Sequence, residues 1–240
     1  MNINTTAVLI KSFKYREADK LYTFFAKDLG KISAVGKSVL KTKSKVGPSL
    51  EFLNTLLVSI YKKNGFGIIK EVKIVQAVPT EKKERNFNFI HYVCDFLNKT
   101  LEEDNPANDI YIFLEKFIKF FLKTNESDVF YYCVFTTQIL SVLGFMININ
   151  HCSNCQEKDL SNLVYVTPAF DGFLCNKCTS NGIRISPNAI KFLKVLQNGN
   201  YQIISKLSVP TECLNEVKSI LISSVHSHLQ INLKSQGFIN

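Results

Sequence analysis

The chain lacks the sequence motifs that mark the common catalytic sites. Its 240 residues contain no glycine-rich phosphate-binding loop, no nucleophile elbow and no HExxH metalloprotease motif. No pair of carboxylates and no nucleophile with an adjacent base stands out. The chain also has no internal repeat and no long low-complexity segment. The sequence therefore predicts a protein that binds its partners and is not an enzyme.

Signals for export or membrane insertion are also missing. Residues 1–6 show no basic start followed by an apolar run, which predicts no signal peptide. Residues 129–150 carry no charge but include six polar side chains, so their apolar part falls short of the roughly 20 residues that span a bilayer. This stretch is predicted to be a buried core helix. We expect a cytoplasmic protein that does not contact membranes.

Four of the seven cysteines have the spacing of a metal site. Cys152, Cys155, Cys175 and Cys178 form two Cys-x2-Cys pairs, and this spacing is typical of a four-thiolate zinc site. Four sulfurs close a tetrahedral shell, so the Zn²⁺ would be structural, one per chain, and the adjacent His151 would be a bystander. Two disulfides or a redox pair are the alternatives. The other three cysteines are predicted to be buried thiols: Cys94, Cys133 and Cys213.

The spacer between the two cysteine pairs indicates a short hairpin. Residues 163–166 predict a strand, residues 168–172 a turn, and residues 173–174 a second strand. Such a hairpin would bring the second pair of sulfurs to the first. The sequence therefore predicts a zinc finger over residues 151–178.

Positive charge is concentrated in the first third of the chain. Residues 1–80 hold 14 Lys and Arg against 5 Asp and Glu, whereas residues 81–150 hold 7 against 10. A local positive patch attracts polyanions, with nucleic acid the first candidate, although a lysine-rich surface can also serve solubility alone. Residues 37–47 carry alternating lysines that could follow a phosphate backbone. A solvated loop is the alternative.

The pattern along the chain predicts an α+β protein. Five short apolar runs within residues 1–80, with an Asn-Gly turn at 64–65, indicate a small β-barrel. After Pro79, apolar residues recur at steps of three and four, which predicts helices over residues 81–150 and again over 179–240. Ser127 and Ser186 stand where helices are expected to begin. The predicted domains are the barrel, two helical parts and the finger between them.

The order of these parts resembles a known family. Tyr15 and the six residues after it resemble the family's entry turn, and Leu50-Glu51-Phe52 resembles the segment after its basic loop. Residues 141–145 before Cys152, and residues 228–235, resemble the helix end and the C-terminal signature. The chain thus resembles the RecO family of bacterial DNA repair and recombination mediators, in its zinc-containing branch. Ser38 and Leu40 depart from the glycine and arginine that the family often has in this loop.

The resemblance implies an N-terminal OB fold that binds single- and double-stranded DNA and anneals complementary strands. It also implies action with RecR, recognition of the C-terminal tail of single-strand-binding protein, indirect loading of RecA, and association with the nucleoid. The positive charge and the resemblance together predict that five side chains contact DNA phosphates: Arg16, Lys37, Lys41, Lys43 and Lys45. The protein tail is expected to bind a hydrophobic groove in the helical part.

Two other classes of protein remain open at this point. One is a zinc-ribbon transcription or translation factor that binds nucleic acid without annealing it, and it would need basic residues around the finger. The basic residues Lys158, Lys177 and Arg184 there are offset by acidic neighbours. The other class is a zinc enzyme acting on nucleic acid, which would need an open metal position.

Overall fold

A computed structural model of the chain describes residues 1–44, 46–63, 65–158, 163–167, 169–178 and 183–239. The chain forms two compact units, Met1–Ile118 and Lys119–Asn240. We describe each unit by itself. The division into four domains that the sequence suggested stays a prediction.

The first unit begins with five strands in the order β1-β2-β3-β5-β4. Their bounds are β1 Asn2–Lys14, β2 Lys20–Ala26, β3 Gly30–Gly36, β4 Thr55–Tyr61 and β5 Gly67–Gln76. Antiparallel pairing of β1 with β4 closes the sheet, while β3 and β5 share only two residue pairs. This partly open barrel confirms the fold class expected from the sequence. Asn64 of the predicted hairpin turn lies outside the described residues.

Three helices follow the barrel: α1 Thr80–Arg85, α2 Phe87–Thr100 and α3 Asn108–Lys123. Strand β2 is buried along both faces because it lies between the barrel interior and this helical layer. Phe24 points into the apolar core of the barrel. The neighbouring ring of Phe25 packs 5.3 Å from Tyr111 of α3, measured between ring centroids. Alternate side chains of β2 therefore pack into two cores, one inside the barrel and one between the barrel and the helices.

The loop after α2 packs closely on the start of β3. The Lys31 amine donates a hydrogen bond to the Asn98 carbonyl at 3.0 Å, and the Asp104 N–H donates to the Lys31 carbonyl at 2.9 Å. A Cβ atom added at Gly30, whose φ is +70°, would lie 1.9 Å from the Asn105 carbonyl oxygen. Only glycine fits there, because both the backbone conformation and the close approach exclude a side chain.

The second unit is built around helix α4, Asp128–Val142, which begins where Ser127 accepts a hydrogen bond from the Phe130 N–H and whose one charged residue is Asp128. Every residue from Val129 to Leu140 is buried, which confirms the predicted core helix over this part of residues 129–150. The helix ends at Val142, and the last residues of the predicted stretch belong to a strand that begins at Asn148. Helices α5 Pro187–Gln197, α6 Tyr201–Ile204 and α7 Thr211–Leu229 belong to the same unit. Within the described part of the chain, no helix is long and apolar enough to span a membrane.

A short sheet of order β6-β8-β7-β9 carries the cysteines. Its strands are β6 Asn148–Cys152, β7 Leu163–Val166, β8 Gly172–Cys175 and β9 Ile183–Arg184. Strands β7 and β8 pair antiparallel, which confirms the predicted hairpin. Pro168 of the predicted turn lies outside the described residues, while the Thr167 hydroxyl donates to the Asp171 carboxylate and closes this turn at 2.6 Å.

Candidate metal centre and nucleic-acid interface

The four cysteines predicted as metal ligands converge on one point. The Sγ atoms of Cys152, Cys155, Cys175 and Cys178 all lie within 4.8 Å of one another. A tetrahedron of sulfurs with metal–sulfur bonds of about 2.3 Å has edges of about 3.8 Å, so the spread suits a single ion. The Cys155 and Cys175 sulfurs are 3.6 Å apart, far longer than a disulfide bond of about 2.0 Å. All four are free thiols, and their arrangement is compatible with a structural metal site.

The backbone around each cysteine pair turns its N–H groups toward the sulfurs. The Cys175 N–H donates to the Cys152 sulfur at 3.3 Å. The Gln156 N–H donates to the Cys152 carbonyl at 3.0 Å, and Gln156 itself takes a left-handed conformation with φ +63°. The second pair makes the equivalent turn, with the Cys178 N–H on the Cys175 carbonyl at 3.1 Å. Such donors stabilise thiolate ligands before any ion binds.

The environment of the cluster shifts the pKa values of two of the cysteines in opposite directions. Burial raises the pKa of Cys152, but N–H groups of the two turns and the Cys155 thiol outweigh it and lower the pKa to about 6. The Glu157 N–H lowers the pKa of Cys155, yet hydrogen bonds to the neighbouring sulfurs raise it to about 12. Thiols bind a divalent soft cation as thiolates, so binding of such an ion here releases protons.

His151 lies beside the cluster without joining it. Its Nε2 atom is 3.0 Å from the Asn148 amide nitrogen, and the cluster of metal-ligating groups contains the four sulfurs alone. His151 is therefore not part of this cluster among the described residues, and its role as a bystander stays a prediction. The three remaining cysteines, Cys94, Cys133 and Cys213, are buried thiols as expected.

Four of the five side chains nominated for DNA contacts are exposed at one end of the barrel. Arg16 lies in the turn between β1 and β2, and Lys37, Lys41 and Lys43 lie in the segment that follows β3. All four side chains are exposed. The fifth, Lys45, lies outside the described residues. Nothing in the structure tests their contacts with DNA, which stay a prediction.

Hydrogen bonds join the turn of Arg16 to the lysine segment. The Asp19 carboxylate accepts from the Ser38 N–H at 2.7 Å, and the Ala18 carbonyl accepts from the Leu40 N–H at 3.1 Å. Two stretches separated by some twenty residues thus present their cations side by side. The sequence alone did not reveal this pairing, because one carboxylate in a turn carries no recognisable signal.

Ser38 and Leu40, the two departures from the family pattern, occupy different environments. Ser38 has a φ of +56°, the left-handed region that favours glycine. The glycine usual in the family therefore has a backbone reason. The Leu40 side chain is 45% exposed, so nothing around it excludes a longer cationic residue.

A third loop reaches the same end of the barrel. The ring of Phe66, just before β5, lies edge-on to Tyr15 of the β1–β2 turn, with centroids 6.2 Å apart and planes at 83°. The Arg16 guanidinium lies 5.3 Å from the Tyr15 ring centroid. Sequence reasoning missed these aromatic residues, although both stand beside glycine or charge in a turn, where a core position is not expected.

These observations define a class of protein: a basic, partly open five-stranded barrel followed by a helical unit that holds a four-cysteine cluster. Comparison with known families places the chain within this class. The family description "Recombination protein O N terminal" matches residues 1–78, and "Recombination protein O C terminal" matches residues 86–237. The chain therefore belongs to the RecO family.

Curated relatives cover almost the whole chain. A protein named DNA repair protein RecO from Thermoanaerobacter sp. (strain X514) is 25% identical over 99% of this chain and 97% of its own length. Relatives of the same name from Caldanaerobacter subterraneus subsp. tengcongensis and Clostridium perfringens are 25% and 26% identical over 98% and 99% of the chain. The family and these names confirm the resemblance to the RecO family and a role in DNA repair, while the assignment to the zinc-containing branch stays a prediction.

Proposed function

We propose that the protein binds single- and double-stranded DNA through the loop end of the barrel and anneals complementary strands. The supporting observation is that the Arg16 turn and the Lys37–Lys43 segment are joined by backbone hydrogen bonds to Asp19 and Ala18 and expose their cations together. Cations held at one end of a barrel can neutralise phosphates of two strands without reading their sequence. No chemical step is proposed, and the protein acts as a mediator and not as an enzyme.

The four-cysteine cluster is proposed to hold one structural Zn²⁺ per chain. Four thiolates at this spacing favour zinc, and they leave no coordination position for a substrate. The ion would join β6 to the β7–β8 hairpin, because its ligands come from both. Metal analysis of the purified protein by mass spectrometry, with about one zinc per chain expected, tests this assignment.

Membership of the RecO family supports a proposal for the protein partners. We propose that the chain acts with RecR, binds the acidic, aromatic-ended tail of single-strand-binding protein, and thereby helps to load RecA onto coated DNA. A fluorescent peptide with the terminal sequence Asp-Phe, titrated with the full chain, should bind. The matched peptide without its terminal Phe should not, and equal binding of the two peptides would contradict specific recognition of the tail.

Annealing is tested most directly with two complementary oligonucleotides, each carrying one dye of an energy-transfer pair. The protein should raise the annealing rate well above the protein-free rate at low salt, and the acceleration should fall as salt screens the phosphate contacts. The same protein mixed with non-complementary oligonucleotides is the control.

The outcome also separates the mediator from the zinc-ribbon factor considered above. Such a factor would bind each strand in a mobility-shift assay and leave the annealing rate unchanged. Binding without acceleration would therefore refute annealing while retaining the DNA interface.

A further inference from the structure

Exposed aromatic side chains gather on the barrel. The described residues include six exposed aromatic side chains, and four of them belong to the barrel or its loops. The six are Phe13, Tyr15, Tyr61, Phe66, Phe87 and Phe238. A single exposed aromatic side chain is ordinary, but several on one basic surface are not explained by the core. The helical part of the chain is richer in aromatic residues overall and buries most of them.

Tyr15 and Phe66 form the centre of this group. They come from different loops, meet edge to face at 6.2 Å, and remain 40% and 50% exposed. An edge-to-face contact leaves ring faces uncovered, because each ring touches its partner on one side only. Gly65, with φ +67° and no neighbouring atom within 4 Å of an added Cβ, forms the turn that presents Phe66.

Cations lie close to three of the four exposed barrel rings, including Tyr15. The Arg16 guanidinium lies over Tyr15, the Lys11 amine lies 5.9 Å from the Phe13 centroid, and the Lys70 amine lies 5.8 Å from the Tyr61 centroid. A hydrophobic protein partner would have to desolvate these charges without compensation. A ligand that offers flat apolar rings joined by a polyanionic backbone satisfies both the aromatic faces and the cations.

We infer that Tyr15 and Phe66 form a base-stacking station for single-stranded nucleic acid, with Arg16 placed for the phosphate beside the stacked base. This inference rests on the proposed DNA binding and gives it a strand preference. Bases in a duplex are already stacked on each other, so the station can engage only an unpaired base. The lysine segment would hold either form of DNA, and the station would add affinity for single strands alone.

Removal of both rings tests this division of roles. The variant Tyr15→Ala/Phe66→Ala is titrated with dye-labelled oligo-dT, with a hairpin duplex of equal charge, and with an abasic oligonucleotide. Single-strand affinity should fall about tenfold, the effect of losing one base stack, and the salt slope should stay unchanged. Duplex and abasic affinities should change by less than about twofold. The control Phe87→Ala/Phe238→Ala removes two exposed rings elsewhere and should leave all three affinities unchanged.

A fluorescent probe keeps the inference testable if the double variant does not fold. The chain contains no tryptophan, so Phe66→Trp introduces a single indole emitter. Oligo-dT should quench this emission on binding, whereas the abasic oligonucleotide should not. Phe238→Trp is the matched control and should keep its emission.

Each result decides between the station and its absence. Unchanged indole emission in Phe66→Trp that is bound to oligo-dT overturns the inference, as does equal loss of single-strand and duplex affinity in a folded double variant. Wild-type protein that binds no DNA would refute the proposed function and the station together. If the wild-type protein binds DNA but the emission of Phe66→Trp does not change on binding oligo-dT, the station alone is refuted.

Discussion

The described part of the chain contains two β-sheets that are held together by different means. The barrel closes around an apolar core that includes Leu9, Phe24, Leu56 and Val58, all nearly or fully buried. The cysteine sheet consists of strands of two to five residues, and four sulfurs meet where β6 and β8 end. Small sheets cannot bury enough apolar surface to fold unaided, and a metal commonly replaces the missing core. The barrel can therefore vary its surface charge freely, whereas the cysteine sheet depends on four particular atoms.

Replacement of one cysteine of the cluster should have the largest effect. It tests whether the cysteine sheet depends on a metal. Cys175→Ser removes a buried ligand, and structural zinc contributes roughly 10 kcal/mol or more to the folding of zinc-finger peptides. We expect the zinc content to fall to nearly none and the thermal transition of this region to be lost. DNA binding by the barrel should persist in the folded fraction. Cys213→Ser, outside the cluster, should keep its zinc; loss of zinc there as well would contradict the ligand assignment.

Truncation of a side chain in the barrel core tests the other sheet, which we expect to depend on its apolar core and not on a metal. Phe24→Ala removes a fully buried ring, and such changes cost about 3–5 kcal/mol of unfolding free energy. Urea unfolding monitored by circular dichroism should show this loss, while zinc content stays at its wild-type value. The exposed change Leu57→Ala is the control and should cost little. A parallel loss of zinc in Phe24→Ala would mean that the two sheets do not fold separately.

Removal of surface charge should leave both sheets folded and weaken DNA binding. The variant Lys37→Ala/Lys41→Ala/Lys43→Ala should lower affinity about tenfold or more and flatten the salt slope by about one unit for each lost phosphate contact. The melting temperature should hardly change, because all three side chains are exposed. Lys191→Ala/Lys194→Ala/Lys206→Ala removes the same charge from the helical unit. Equal weakening in both variants would indicate a general charge effect.

Addition of a positive charge to the barrel surface should have a smaller effect on DNA binding, in the opposite direction. Leu40→Arg places a cation on the exposed side chain of the lysine segment. We expect the salt slope to steepen by about one unit and affinity to rise severalfold, since one more phosphate can be neutralised. Filter binding over a salt series measures the change. Leu40→Gln, a polar neutral control, should reproduce the wild-type slope, and a slope unaffected by the arginine would place DNA elsewhere.

Relief of backbone strain should give the smallest effect. Ser38→Gly keeps the left-handed conformation and removes the side chain that opposes it, so we expect a stabilisation of up to about 1 kcal/mol. Differential scanning calorimetry can resolve the rise in melting temperature. Ser33→Gly, at a position in β3, should instead destabilise, because glycine weakens a strand interior. A destabilising Ser38→Gly would show that the Ser38 side chain contributes more than its conformation costs.

The sequence predicted local features well. The five strands, the β7–β8 hairpin, the Ser127 and Ser186 helix starts and the cysteine cluster all depend on spacing within a few residues or on a known ligand pattern. Helix α4 was predicted as core because it has no charged residue between Val129 and its end. The predicted stretch, residues 129–150, extends beyond the helix, since uncharged and mostly apolar residues continue past Val142 while the helix ends there.

Contacts between distant segments could not be predicted. The hydrogen bond from Ser38 to Asp19 and the Tyr15–Phe66 contact join loops whose residues are common in any turn. Their proximity follows from the closure of the barrel, a property of the whole sheet. The sequence therefore located the cations and did not show which of them share a surface.

The close approach of Gly30 to Asn105 has a consequence for how the chain is made. The last barrel strand ends at Gln76, but the loop that covers the start of β3 is completed only after Asn98 and Asp104 have left the ribosome. Since domains fold as they emerge, the start of β3, which pairs with β5 only at its other end, stays uncovered on that side while roughly thirty more residues emerge. A nascent chain is vulnerable to strand exchange during that interval. A ribosome that stalls before Asn105 has emerged would prolong it, and one that stalls after Asn105 has emerged would not.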